Sequence, residues 1–123
     1  MSITFYPYRK EGDCWDIARN SFDFPNLANG NAADVLDELG FGREAMWDAD
    51  PVSIDLFEQA CVLARAGFDG KPVAAVPDKV DRGNGPTIIH CGRREGRMNE
   101  YMEALLDMVR HGRAGGATHI GWG

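Results

Sequence analysis

Long apolar runs are missing from this sequence of 123 residues. None reaches the roughly 18 consecutive apolar residues of a transmembrane helix, and the first residues lack the basic start and apolar stretch of a signal peptide. We therefore expect a cytoplasmic protein that does not bind a membrane. A chain of this length can bury one core, so we also expect a single domain over residues 1–123.

Cysteine is scarce as well. Its three copies, Cys14, Cys61 and Cys91, are odd in number and far apart, and they form no Cys-x-x-Cys pair. This pattern argues against a disulfide framework and against a zinc ribbon. The histidines and cysteines also lack the spacing of ligands on one helix face. We expect no metal and no cofactor.

Basic residues are too few for a surface that binds nucleic acid generally. Lysine and arginine number 13 against 19 acidic residues, which gives a formal net charge of −6. The imbalance lies in residues 11–58, where twelve acidic side chains accompany only two basic ones. A negative field steers a protein toward basic partners and away from phosphate backbones. We therefore predict a basic protein partner and no direct contact with nucleic acid.

The order of apolar runs and turn residues predicts a small α+β or α/β fold, with a short sheet of three to five strands packed against two or three helices. Strand patterns cover residues 3–8, 72–76, 87–91 and 117–122, and Pro7 favours an edge position for the first. Segments 14–18 and 22–25 fit no single class. Residues 78–86, rich in glycine, asparagine and proline, indicate a mobile surface loop.

Three helices are expected from periodicity and capping residues. The first covers residues 32–39, with Asn31 as N-cap and Gly40 as left-handed C-cap. The second covers residues 51–66, with Asp50 as N-cap and Pro51 at the first helical position. The third begins near Met98 and stops at Gly112. With its flanking strands, this last helix forms a C-terminal strand–helix–strand unit.

The segment from Cys91 to Arg97 lies between an expected strand and an expected helix. A cysteine followed after five residues by an arginine resembles the phosphate loop of the cysteine-dependent tyrosine and dual-specificity phosphatases. This resemblance implies that Cys91 is a nucleophile and Arg97 a phosphate clamp. The sequence departs from the family at Met98, where a hydroxyl residue is usual, and at Arg94, where a glycine is usual.

A plainer interpretation of the same segment is also open. Gly92 and Gly96 would shape a turn from strand to helix, and Arg93 and Arg94 would be solvated or bind an anion. The asparagine-rich stretch before the first helix has two interpretations of the same kind. Asn29 and Asn31 could bind a ligand or partner, or they could form an Asx turn and an N-cap. Three acidic residues that follow are candidate contacts to a basic partner: Asp34, Asp37 and Glu38.

Several short motifs together resemble small uncharacterised bacterial and phage proteins of unknown function. They are the asparagine-rich turn 29–32, Leu39–Gly40, the turn 91–93 and the terminal Trp122–Gly123. This resemblance implies a single-domain cytoplasmic protein in which Cys91 belongs to a structural turn, and it implies no activity.

The function predicted from these observations is binding or regulation through contact with a basic partner, and an inhibitor derived from a phage or prophage is one form of it. Self-association is left open. The alternative is an enzyme, phosphatase-like or otherwise anion-binding, that uses Cys91 and Arg97.

Overall fold

The computed structural model describes residues 1–18, 23–47 and 49–123. Its main sheet is antiparallel and contains β1 (Ser2–Glu11), β2 (Cys14–Ile17), β3 (Asn26–Ala28), β4 (Val52–Ser53) and β7 (His119–Trp122). A separate hairpin consists of β5 (Lys79–Asp81) and β6 (Ile88–His90). The helices are α1 (Asn29–Glu38), α2 (Ile54–Gly67) and α3 (Arg97–Ala114), with a short 3-10 helix at Arg43–Met46. This is a small α+β domain, as predicted.

β1 lies inside the main sheet, so the edge position predicted from Pro7 is wrong. It pairs with β7 along one side and with β2 and β3 along the other. Thr4 exchanges both backbone hydrogen bonds with Gly123, so alternate residues of β1 bond to β7 through their backbones. The backbone groups of Pro7 therefore point to the other side of β1, away from β7. There Pro7 lies between the residues that pair with β3 and those that pair with β2. The lack of an N–H at Pro7 therefore removes no hydrogen bond from the pairing with β2 or from the pairing with β3.

The core lies between one face of the main sheet and the helices. Phe5 of β1 is fully buried, and its ring centroid lies 6.3 Å from that of Phe57 in α2 and 5.8 Å from that of Trp122 in β7. α3 contributes a fully covered stripe at helical spacing: Met98, Met102, Leu105, Met108 and Val109. The apolar periodicity predicted for this helix is confirmed. Its predicted stop is wrong, because Gly112 is a buried helical residue and the helix continues to Ala114.

α1 begins earlier than predicted, and Asn31 is not its N-cap. The N-cap position belongs to Ala28, and no side chain from the described part of the chain caps the helix. Asn31 lies inside the first turn and is only 5% exposed. At the other end Gly40 adopts a φ of +83°, and its amide donates to the carbonyl of Asp37. The predicted left-handed conformation of Gly40 is confirmed, although the C-cap residue itself is Leu39.

α2 begins later than predicted, at Ile54. Its N-cap is Ser53, whose hydroxyl accepts from the amide of Leu56 at 3.1 Å. The prediction of Asp50 as N-cap and Pro51 as first helical residue is wrong, because Val52 and Ser53 are held extended by pairing with β7.

The segment between α2 and α3 has less regular structure than predicted. Within residues 72–76 only Val76 pairs, in a single bridge with Arg93, so the strand predicted there is wrong. The strand predicted at 87–91 is confirmed as β6, and the one at 117–122 as β7. The predicted loop 78–86 includes β5, and its mobility stays a prediction. β6, α3 and β7 follow in the expected order, although the two strands lie in different sheets.

The two segments that fitted no single class also have assignments. Residues 14–17 form β2, and residue 18 follows it. Of the segment 22–25, Phe22 lies outside the described residues, and β3 begins just after the segment, at Asn26.

Close packing of α3 on β1 depends on Gly112. A Cβ at this position would lie 2.8 Å from the Cβ of Pro7 and 3.3 Å from that of Ala117. We expect Gly112→Ala to lower the free energy of unfolding by about 1–3 kcal/mol in urea denaturation. Gly67→Ala is the control, because a Cβ there meets nothing within 4 Å. The control should match or exceed the wild-type stability, and equal losses in both variants would contradict this packing argument.

Candidate functional site

The structure brings together two stretches that are far apart in the sequence, 29–38 and 91–97. Nη1 of Arg93 donates to Oδ2 of Asp34 at 2.7 Å and to Oδ1 of Asn31 at 3.3 Å. Nδ2 of Asn31 donates in turn to the carbonyl of Gly92 at 3.4 Å. The Arg93 side chain is only 9% exposed, so this contact is largely shielded from water. Asn31, Asp34 and Arg93 therefore hold the turn before α3 against α1.

Arg43 extends this cluster on its exposed side. Its Nη1 donates to Asp34 and, at 3.2 Å, to Oδ2 of Asp37. Partial burial alone would raise the pKa of Asp34, but hydrogen bonds from Arg93 and Arg43 outweigh it and hold the pKa below its ordinary value. Asp34 and Asp37, predicted as contacts to a basic partner, thus already bind arginines of their own chain.

Four amides of the turn 91–97, those of Gly92, Arg93, Gly96 and Arg97, are bound to the chain's own acceptors. The amide of Gly92 donates to Oδ1 of Asp78 at 2.7 Å, and that of Gly96 donates to the carbonyl of Val73 at 2.9 Å. A phosphate loop needs several free amides that converge on one anion. Here the Asp78 carboxylate already accepts from the Gly92 amide and would repel a phosphate. The bound amides are therefore not available for the cradle that the resemblance to the phosphatases implies.

The arginines of this turn also have partners. Arg94 and Arg97 both donate to the Glu100 carboxylate, at 2.6 and 2.7 Å, and Arg97 also lies 4.8 Å from the Tyr101 ring centroid. Arg97 is therefore held by its own helix.

The turn requires glycine at position 92 because its backbone passes close to that of Val76. A Cβ at Gly92 would lie 1.9 Å from the carbonyl oxygen of Val76.

The excess negative charge of residues 11–58 is partly neutralised by arginines of the same chain. Among the described residues, five of its carboxylates form ion pairs with arginines: Glu11, Asp34, Asp37, Asp55 and Glu58. They belong to a strand and two helices, and their pairing with arginines reduces the net negative charge of the segment. Glu38 lies at the end of α1 and is exposed.

An apolar concavity lies between the end of α1 and α2. We call it the α1–α2 groove; its volume is about 600 Å³, and it is lined by Glu38, Leu39, Gly40, Ala60, Leu63, Ala64, Gly67, Phe68 and Val73. An adjoining hollow of about 360 Å³ extends it along α2 to Leu56. Leu63 is 64% exposed and Leu56 51% exposed. Their seven-residue spacing places both leucines on one side of α2, but such spacing does not show whether that side is buried or exposed.

A second cleft, of about 530 Å³, opens at the start of α1. Asn29, Arg43, Trp47 and His90 are among its lining residues, and Trp47 is 54% exposed. Oδ1 of Asn29 is buried without a hydrogen-bond partner among the described residues. Asn29 thus lines a cleft, whereas Asn31 is engaged with the C-terminal turn.

The described parts of the chain contain neither a group of metal ligands nor a membrane-spanning helix. In residues 1–18, 23–47 and 49–123 no three or more histidine, cysteine or acidic side chains are grouped as metal ligands. No helix in those same ranges has both the length and the apolar character needed to span a bilayer.

Comparison of the chain with protein-family models, with curated proteins and with solved structures finds no match. The function is therefore inferred from the geometry of this chain alone.

Replacement of Asp34 tests the contact between α1 and the turn before α3. The lowered folded-state pKa means that Asp34 stabilises the fold above the unfolded-state pKa of about 3.9, and that this contribution is lost as the pH falls toward the folded-state pKa. We expect Asp34→Asn to lower the free energy of unfolding near neutral pH by about 1–3 kcal/mol, since it weakens a hydrogen bond to a shielded guanidinium. The deficit relative to wild type should shrink below about pH 4.

The control is Asp13→Asn, at an exposed turn residue that forms no ion pair with a described residue. It should change stability little at any pH. A deficit of Asp34→Asn that is the same at all pH values would contradict the assigned role of the carboxylate.

Thiol reactivity tests the environments of the three cysteines. Cys14 and Cys91 are exposed, whereas Cys61 is buried and burial raises the pKa of its thiol to about 12. With Ellman's reagent at neutral pH we expect two thiols to react at once and the third only in denaturant. Cys61→Ala should remove the slow thiol and leave the fast pair, and three fast thiols in the wild type would contradict the burial of Cys61.

Proposed function

We propose that this protein is a binding module that accepts a basic, apolar segment of a partner protein in the α1–α2 groove. The observation that carries the proposal is the exposure of Leu63 and Leu56, at 64% and 51%, beside a groove with apolar walls. Water leaves such surface favourably when a partner covers it. Clustered apolar exposure next to a concavity is typical of protein-binding sites.

The charges around the groove favour a basic partner. Glu38 lines the groove, and both α1 and α2 end beside it, at Glu38 and Gly67. The last carbonyls of a helix carry partial negative charge, which favours cations. A lysine or arginine next to an apolar anchor on the partner would meet both requirements.

The form of the groove favours a helical segment. Leu56, Ala60, Leu63 and Gly67 lie along one side of α2, at spacings of three and four residues. An amphipathic helix presents apolar anchors at matching intervals to such a surface. The sequence resemblance to phage proteins makes inhibition of a basic, nucleic-acid-binding protein one form of this proposal.

The alternative, an enzyme that uses Cys91 and Arg97 on an anionic substrate, has weaker support. The Asp78 carboxylate lies where the substrate's negative charge would have to bind, at the Gly92 amide. Glu100 engages the arginine that would clamp the substrate.

The test uses two synthetic helical peptides with leucines at the same helical positions, one with lysines and the other with glutamates at the remaining polar positions. In NMR titrations of the labelled protein at low salt, we expect the lysine peptide to bind and to shift signals of residues 38–41 and 56–68. The glutamate peptide should bind at least about tenfold more weakly. We expect Leu63→Ser to weaken binding of the lysine peptide by about tenfold.

Val62→Ser is the matched control, because Val62 is also exposed on α2 but does not line the groove. The affinity of the Val62→Ser variant for the lysine peptide should stay near that of the wild type. Equal binding of both peptides, equal effects of the two substitutions, or no binding of the lysine peptide would each overturn the proposal. Shifts of the groove signals with protein concentration alone would instead assign the groove to a second copy of the chain.

A further inference from the structure

The hairpin of β5 and β6 pairs with no other described strand. Its strands pair in register, Lys79 with His90 and Val80 with Ile89, and the Val76–Arg93 bridge continues the same register toward the base. A two-stranded hairpin is at best marginally stable in water by itself. Further pairing at its edge would therefore stabilise it.

One face of this hairpin is apolar and exposed. Val80 and Ile89 lie directly opposite each other and are 45% and 65% exposed. Val76, 40% exposed, lies four residues before Val80 and so on the same face. Three apolar side chains thus form a row that stays partly exposed among the described residues.

The outer edge of β5 offers unpaired backbone groups. Val76 and Arg93 exchange both backbone hydrogen bonds, at 2.8 and 2.7 Å. By the alternation of an antiparallel ladder, Val80 and Ile89 also bond to each other, and the N–H and C=O groups of Lys79 and Asp81 point outward. β6 faces the body of the protein instead, where Ile89 lines a cleft with Met1 and Asn29 among others. The open edge is therefore that of β5.

We propose that a second copy of this chain pairs with this edge, antiparallel and about a two-fold axis at Val80. In that register each Lys79 lies opposite Asp81 of the second copy, so that two cross-strand ion pairs form. A parallel pairing in register would instead oppose like charges. The antiparallel pairing joins two hairpins into a four-stranded sheet and brings the two Val80 side chains together. The edge is self-complementary, as a two-fold interface requires.

Charge exchange at residues 79 and 81 tests this register. In sedimentation velocity over a range of protein concentrations, we expect the wild type to form a dimer. Lys79→Glu and Asp81→Lys should each raise its dissociation constant by about tenfold, since each opposes like charges twice. An equimolar mixture of the two single variants should dimerise again, because every opposed pair in the mixed dimer is then of opposite charge.

The double variant, Lys79→Glu with Asp81→Lys, should dimerise like the wild type. It also controls for the turn bond from the Gly83 amide to Asp81, which every variant at position 81 loses. A monomeric wild type, or single variants that dimerise as well as the wild type, would overturn the proposal. A dimer that Leu63→Ser disrupts and Lys79→Glu does not would also overturn it, because self-association would then use the α1–α2 groove.

Discussion

The pairing of β1 with β7 is the constraint on which the other elements depend. It joins the start of the chain to its end and places Phe5 and Ile120, both fully buried, within the same core. The side chain of Trp122 then fastens the 3-10 helix, since its Nε1 donates to the carbonyl of Ala45 at 2.6 Å. β4 is the last strand in the sheet order beside β7, and α2 follows it directly. α2 therefore lies toward the border of the sheet, and the side of the helix that carries Leu56 and Leu63 stays exposed.

Arg93 links this body to the segment that carries the hairpin. Its guanidinium reaches Asp34 on α1, while its backbone bonds to Val76 at the base of the hairpin. One residue thus sets both the position of the turn before α3 and the direction in which the hairpin leaves the body. The two proposed surfaces have separate origins. The groove follows from the placement of α2, and the β5 edge from a hairpin outside the main sheet.

Local sequence patterns predicted the positions of helices and strands better than they predicted which residues would lie beside them. The stripe of α3, the left-handed conformation of Gly40 and the strand around Ile120 depend on neighbouring residues, and the structure confirms them. Pro7 indicated an edge because a missing N–H affects only one side of a strand, and sequence alone does not show which side is paired. Asn31 matches the sequence pattern of an N-cap, but in the structure its side-chain amide donates to the carbonyl of Gly92, some sixty residues away.

The candidate site was less accessible to sequence reasoning. Asn31, Asp34 and Arg93 were singled out separately, but only the fold shows that they bind one another. Leu56 and Leu63 repeat at helical spacing, which does not distinguish a buried face from an exposed one. For that reason the α1–α2 groove could be found only from the structure.

Photo-crosslinking from within the groove tests the central claim, that the α1–α2 groove binds a basic, apolar segment. A benzophenone amino acid in place of Leu63 is irradiated in cells that make the protein, and the crosslinked peptide is mapped by mass spectrometry; the same group in place of Val62 is the control. We predict a crosslink from position 63, and not from position 62, to a segment with lysine or arginine beside apolar anchors. An acidic crosslinked segment, or equal crosslinking from both positions, would contradict the account.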